Sequence, residues 1–91
     1  MRYILLGKLN REWIHKSERY SRSKEKAREL GIRIEGVHYT QGPYDFVDII
    51  STDDAQAALA FSAWYSAQGY GSFTTMPAYT PEDLAQALEK L

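Results

Sequence analysis

Three features of the sequence predict an α+β fold in which an antiparallel sheet is backed by helices. The first is a turn, Gln41-Gly42-Pro43, set between runs rich in β-branched and aromatic residues, Val37–Thr40 and Tyr44–Ile50. Glycine tolerates positive φ, and proline fixes its own φ while lacking a donor, so the tripeptide closes a hairpin. The second is a pair of helix-start signals, Asp53 with Gln56 three residues on, and Thr80-Pro81-Glu82-Asp83. The third is spacing: helix-length segments stand between strand-length ones, with the hairpin in the middle.

Residues 2–9 read as the first strand, because Tyr3-Ile4-Leu5-Leu6 is a near-continuous apolar run that suits burial on both faces. Residues 10–30 are charged and rich in helix formers, and they end at Leu30-Gly31 with the glycine past the last turn. The apolar face of that helix is thin: Trp13, Ile14, Tyr20, Ala27 and Leu30. Tyr20-Ser21-Arg22-Ser23 is expected to divide it into an irregular piece and a regular one. Strands follow at Ile32–Thr40 and Tyr44–Ser51. Asp53 is expected to cap the next helix, which runs to about Gln68 and stops at Gly69. At 100° per residue its core face is expected to carry Ala55, Ala58, Leu59, Ser62, Tyr65 and Ser66, with Trp64 opposite and Phe61 off that face. Gly71–Tyr79 reads as a fourth strand, and Pro77 suits an edge. Thr80 as N-cap, Pro81 at the first position and two acids facing the positive dipole end open a short final helix, Pro81–Lys90. The order β-α-β-β-α-β plus a terminal helix is that of a ferredoxin-like domain, here one domain over residues 1–91 with its helices on one face.

The hairpin implies a register. A loop of two or four residues places Tyr39 opposite Tyr44 and His38 opposite Asp45. One face then holds Ile34, Gly36, His38, Asp45, Val47 and Ile49, and its aliphatic character marks it to carry the helices. The other holds Glu35, Val37, Tyr39, Tyr44, Phe46, Asp48 and Ile50, which is aromatic, partly polar and too apolar to be left in water. A second copy of the chain is the expected cover. A single bulge in the hairpin would exchange the two faces.

Composition narrows the class. At 91 residues the chain can bury about 60–65% of its unfolded surface, enough for one core without staples. It has no cysteine, so disulfides and thiolate metal sites are excluded. Met1–Lys8 holds too short an apolar stretch for a secretory signal, and no run approaches the ~18 residues of a membrane span. A cytoplasmic location without membrane association is expected. Charge is lopsided: residues 8–33 carry nine bases against four acids, whereas residues 34–91 carry Lys90 against eight acids. That asymmetry raises a nucleic-acid face as one reading. Glu18, Glu25 and Glu29 are interleaved with Lys16, Arg19, Arg22, Lys24, Lys26 and Arg28. Interleaving at i,i+3 and i,i+4 favours a salt-bridged, solvated helix, so nucleic acid is not the expected partner.

Several pieces together resemble the GYD-domain family, named for Gly, Tyr and Asp. They are Leu6-Gly7-Lys8-Leu9 in the opening strand, Glu29-Leu30-Gly31 at the helix end, and Gly42-Pro43-Tyr44-Asp45-Phe46-Val47. The Gly-rich approach to the fourth strand and the acidic final helix also fit, and the likeness spans nearly the whole chain. Pro43 separates Gly42 from Tyr44, so the literal tripeptide is absent. The resemblance implies a ferredoxin-like subunit that pairs sheet to sheet into a dimeric α+β barrel. It implies no established activity. Its wider relatives include cofactor-independent monooxygenases, isomerases, haem enzymes and small-ligand sensors, and fold does not choose between them.

The residues themselves offer four sets. His38 and Asp45, placed opposite each other, could act as base and orienting carboxylate, or form a structural cross-strand ion pair. Tyr39, Tyr44, Phe46 and Asp48 could line a pocket between two sheets for a small, mostly apolar ligand, or fill a dimer core. His15, with Glu12 and Arg19 on the same helical face, lacks the spacing of a metal site, and no metal or cofactor is expected. The basic stretch 16–28 is the fourth. The reading that follows is a homodimer holding a small apolar molecule. The alternatives are a cofactor-independent oxygenase or isomerase using His38 and Asp45, and nucleic-acid binding through residues 16–28.

Overall fold

The computed structural model describes residues 1–91. Its elements are β1 (Arg2–Leu9), a 3-10 turn (Arg11–Trp13), α1 (Glu18–Glu29), β2 (Arg33–Tyr39), β3 (Phe46–Ser51), α2 (Ala55–Ala67), β4 (Gly71–Ala78) and α3 (Pro81–Leu88). The four strands form one antiparallel sheet in the order β2-β3-β1-β4, consistent with a ferredoxin-like fold. β4 is an edge strand, which is why Pro77 near its end costs the sheet no central hydrogen bond. Gly31 and Gly69 take φ of +74° and +76° just past α1 and α2, the left-handed exit that glycine allows.

Local details depart from expectation for identifiable reasons. The break in the first helical segment falls at Ile14–Ser17, and Tyr20–Ser23 are regular helix within α1. Ser23 stays in the helix because its hydroxyl donates to the Arg19 carbonyl at 2.7 Å, the local bond a helix tolerates. Asp54, not Asp53, caps α2: its carboxylate accepts from the Gln56 N–H at 2.9 Å. Ala57, Ala58, Phe61 and Tyr65 face inward while Leu59 is 70% exposed, so the buried face lies about a quarter turn from the expected one. Phe61 is therefore core, and Trp64 packs against both buried clusters. The Thr80–Asp83 capping box of α3 forms reciprocally, at 3.0 and 2.9 Å.

The hairpin register is two residues off the expected one. Tyr39 pairs with Phe46 and His38 with Val47, so residues 40–45 form the connection. Within it the Thr40 N–H donates to the Asp45 carbonyl at 2.9 Å and the Thr40 hydroxyl to the Tyr44 carbonyl at 2.7 Å. A shift of two leaves each residue on its expected face. A bulge at Glu35, between the Ile34–Ile50 and Gly36–Ile49 pairs, then moves Ile34 to the side of Ile50.

The helices cover the opposite face from the one expected. Tyr3, Leu5, Phe46 and Ile50 are buried beneath Ala27, Ala57, Ala58 and Phe61, so the aromatic, partly polar face is the inner one. The reason is space and partners. Gly7 in β1 gives the Phe46 ring room, since a Cβ there would lie 1.9 Å from the ring. Around Phe46 the rings of Tyr65, Tyr70 and Phe73 interlock at centroid distances of 4.3–6.1 Å. From α1, Arg19 also supplies a partner for the Tyr39 hydroxyl of that face. Ile4, Leu6, Val47, Ile49 and Met76 project from the other side and stay partly accessible. No residue of α3 is buried.

Candidate functional site

The signature segments of β1 and the hairpin connection clasp each other. The Asp45 N–H donates to the Gly7 carbonyl at 2.8 Å, continuing the β1–β3 ladder beyond its last residue pair. The Asp45 carboxylate accepts from the Leu9 N–H at 2.7 Å, and Phe46 next to it lies over Gly7. Leu6-Gly7-Lys8-Leu9 and Gly42–Val47 thus form one structural unit. Asp45 fixes the chain path at the mouth of a cleft.

Behind that mouth lies a polar cluster under α1. Arg19, in the first turn of α1, is only 7% exposed, and it points inward because Arg19, Ser23 and Ala27 form the helix's buried stripe at four-residue spacing. Its guanidinium donates to the Tyr65 hydroxyl at 3.2 Å and to the Tyr39 hydroxyl at 3.3 Å, and lies 5.9 Å from the Phe46 ring centre. Burial alone would lower the Arg19 pKa, but the bonds to and charge interaction with Tyr39 and Tyr65 outweigh it and raise it. Burial pushes the Tyr65 hydroxyl up to about 12 despite the nearby guanidinium.

Asp48 projects from β3 into the same space. Burial raises its carboxyl from 3.8 to about 6, and the Arg19 charge offsets this only in part. The four ion pairs of the molecule include neither Arg19 nor Asp48. Asp48 Oδ1 and Arg19 Nε are buried without hydrogen-bond partners. Both side chains line a cavity of about 20 Å³, walled by Tyr39, Phe46, Phe61, Tyr65 and Phe73 among others. A space of that size admits about one water molecule.

Arg19, Tyr20 and Tyr39 are also walls of a wider cleft of about 430 Å³ that opens to solvent. Leu9, Ile14, His15, Lys16, Ser17, Thr40 and Asp45 complete it. The cleft lies between the start of α1 and the tip of the hairpin. It joins an apolar wall to a set of donors, and it falls in the size range of small-molecule sites.

The expected site residues are therefore partly assembled and partly dispersed. Tyr39, Phe46 and Asp48 meet around one cavity, but that cavity lies between sheet and helices of a single subunit. Tyr44 is outside it, with Lys8 5.8 Å from its ring centre. His38 and Asp45 do not face each other: His38 lies opposite Val47 on the helix-free face, while the Asp45 carboxylate is engaged by Leu9. His15 borders the cleft, and no three His, Asp or Glu side chains come together to hold a metal ion. In the basic stretch Arg22 pairs with Glu18, Lys26 with Glu29 and Arg28 with Glu25, as the interleaving predicts.

Arg19 and Tyr65 were not legible as site residues from a motif. One signal for Arg19 exists. It has no acid three or four residues away, unlike Arg22, Lys26 and Arg28, and Ser23 and Ala27 continue its stripe with small side chains. An arginine on the small-residue stripe of a helix is one that turns inward.

The family model described as the GYD domain matches residues 3–88, nearly the whole chain. No curated protein is significantly similar to it. No helix is long and apolar enough to cross a membrane.

Proposed function

We propose, for a chain that by this match belongs to the GYD-domain family, that it is a homodimeric small-molecule-binding protein with one site per subunit, between sheet and helices. The observation that carries the reading is the convergence of Arg19, Tyr39, Tyr65 and Asp48 on one aromatic-walled space that shares walls with an open cleft. Unpartnered buried polar atoms cost roughly 1–3 kcal/mol each. Arg19 Nε and Asp48 Oδ1 have no hydrogen-bond partner within the chain, so a molecule that reaches them finds a donor and an acceptor still to engage. The pocket between two sheets is replaced by this one, because the aromatic face is the covered one.

Dimerisation is supported by the open face. Ile4, Leu6, Val47 and Ile49 form a contiguous aliphatic surface on the two central strands, β1 and β3. Central strands with one apolar face bare favour a second layer, and a twofold copy supplies the same surface. Native mass spectrometry of protein purified from its own cytoplasm tests both halves. Twice the chain mass with a retained small molecule is expected. A monomer at tens of micromolar with nothing bound would overturn the reading.

A second reading is favoured by Asp48. A carboxyl held near 6 is well matched to proton abstraction around neutral pH, and Tyr39 and Arg19, shared with the cleft, could stabilise the resulting anion once a substrate widens the inner cavity that Asp48 lines. The cofactor-independent oxygenase or isomerase alternative would then run through Asp48 rather than His38 and Asp45. Solvent deuterium exchange into a bound carbonyl compound, lost in Asp48→Asn, separates turnover from binding. The nucleic-acid alternative has less support, since three cations of residues 16–28 are in ion pairs and Arg19 is buried. Flat or absent duplex binding on lowering salt would reject it.

A further inference from the structure

Arg19 is a buried cation with no ion-pair partner. Its hydrogen bonds go to two phenol hydroxyls, two of its five N–H donors are used, and Nε–H has no acceptor. A buried charge without a counter-ion is costly, and proteins ordinarily meet that cost with a paired anion. Asp48, the acid of the same cavity, forms neither an ion pair nor a hydrogen bond with it, and the Arg19 charge offsets the burial-raised Asp48 pKa only in part. Asp45, the one acid of the cleft, is already held by the Leu9 N–H at 2.7 Å.

The cleft adds a second, independent set of donors. Ser17 stands at the N-cap of α1, a twelve-residue helix, yet its hydroxyl makes no capping bond. The Tyr20 and Ser21 N–H groups donate to the Ser17 carbonyl, which leaves the Glu18 and Arg19 N–H groups and the positive end of the dipole unpartnered beside a cleft that Ser17 and Arg19 line. Lys16 flanks them, so the cleft holds two cations, Lys16 and Arg19, against the single acid Asp45 in a chain whose net charge is −1. Leu9, Ile14, Tyr20 and Tyr39 give the remaining walls an apolar and aromatic character.

We infer that the ligand of this cleft is a small organic carboxylate, its carboxylate held by Arg19 and the Ser17 end of α1 and its apolar body lying against Ile14, Tyr20 and Tyr39. A single guanidinium fork matches the planar, two-oxygen shape of a carboxylate. The aromatic walls take a flat hydrocarbon body, which a phosphate lacks. This inference rests on the ligand-binding reading above and adds the charge and shape of what is bound.

The test uses the full chain, 15N-labelled, titrated with benzoate, with its neutral isostere benzamide, and with inorganic phosphate. Benzoate is expected to shift the amide signals of Ser17, Glu18 and Arg19, and to bind about tenfold or more tightly than benzamide. Arg19→Gln should remove that preference, Arg19→Lys should reduce it, and Ser17→Ala, at an exposed position, should weaken benzoate alone. If Arg19→Gln does not fold, the benzoate–benzamide ratio on the unaltered protein and on Ser17→Ala still decides. Equal binding of benzoate and benzamide overturns the carboxylate inference and leaves the ligand-binding reading standing. Shifts with phosphate only overturn it as well. No shift in the cleft with any of the three overturns the inference and removes support from the site itself.

Discussion

Asp48→Asn isolates the consequence of a buried carboxyl without altering its shape. Burial raises the Asp48 pKa from 3.8 to about 6. Below 3.8 the group is protonated whether the chain is folded or not, and it contributes no pH dependence. Between these values the unfolded chain has lost its proton and the folded chain keeps it, so stability falls as pH rises. Above about 6 both forms are ionised and the full penalty is present. At 1.36 kcal/mol per pH unit the interval corresponds to about 3 kcal/mol. Asparagine cannot ionise, so the variant escapes this term while sharing every other titration with the parent. Urea unfolding of both proteins from pH 3.5 to 8 reads the difference. Relative to the parent, the variant should gain about 3 kcal/mol across that range, with most of the change between pH 4 and 6. A flat difference would show a solvated carboxylate and refute the reasoning. A difference of opposite sign would show Asp48 salt-bridged to Arg19, and would remove the unpaired cation from which the carboxylate site is argued.

Other outcomes follow from single contacts. Gly7→Ala places a Cβ 1.9 Å from the Phe46 ring, so thermal unfolding should show a loss of about 1–3 kcal/mol. Asp45→Ala strands the Leu9 N–H, which now donates at 2.7 Å. A loss of about 1–3 kcal/mol and faster hydrogen exchange at the Leu9 amide are expected. Thr80→Ala removes the capping box of α3 and should speed exchange within that helix by the equivalent of about 1 kcal/mol. Because no residue of α3 is buried, the sheet amides should be unaffected. Ile49→Asp puts a charge at the centre of the open aliphatic face, and sedimentation should then show a single subunit that remains folded.

The fold was legible where local signals were strong and redundant. The turn at Gln41-Gly42-Pro43, the glycine after α1 and the Thr80-Pro81 start each mark an element boundary by chain geometry alone. The last two appear as expected, and the turn lies inside a longer connection, residues 40–45, than the two- or four-residue loop expected. The face that carries the helices was not legible, because both faces of the hairpin are apolar and hydrophobicity alone does not rank them. What ranks them is non-local: Gly7 beside Phe46, and an arginine from α1 brought to Tyr39 and Asp48. The one-residue displacement of the α2 cap from Asp53 to Asp54 had the same origin, since two adjacent acids are equivalent caps until packing selects one. For the site, the sequence supplied Tyr39, Phe46 and Asp48 as a group. It paired His38 with Asp45 only through a register that the Asp45–Gly7 and Asp45–Leu9 bonds displace.

The most direct test of where a ligand sits is a set of intermolecular nuclear Overhauser contacts from protein-bound benzoate. Contacts to the rings of Tyr20 and Tyr39 and the side chain of Ile14, at the entrance Arg19 shares with the inner cavity, are the predicted result. Contacts confined to Ile4, Leu6, Val47 and Ile49 would put the molecule on the helix-free face and contradict the account.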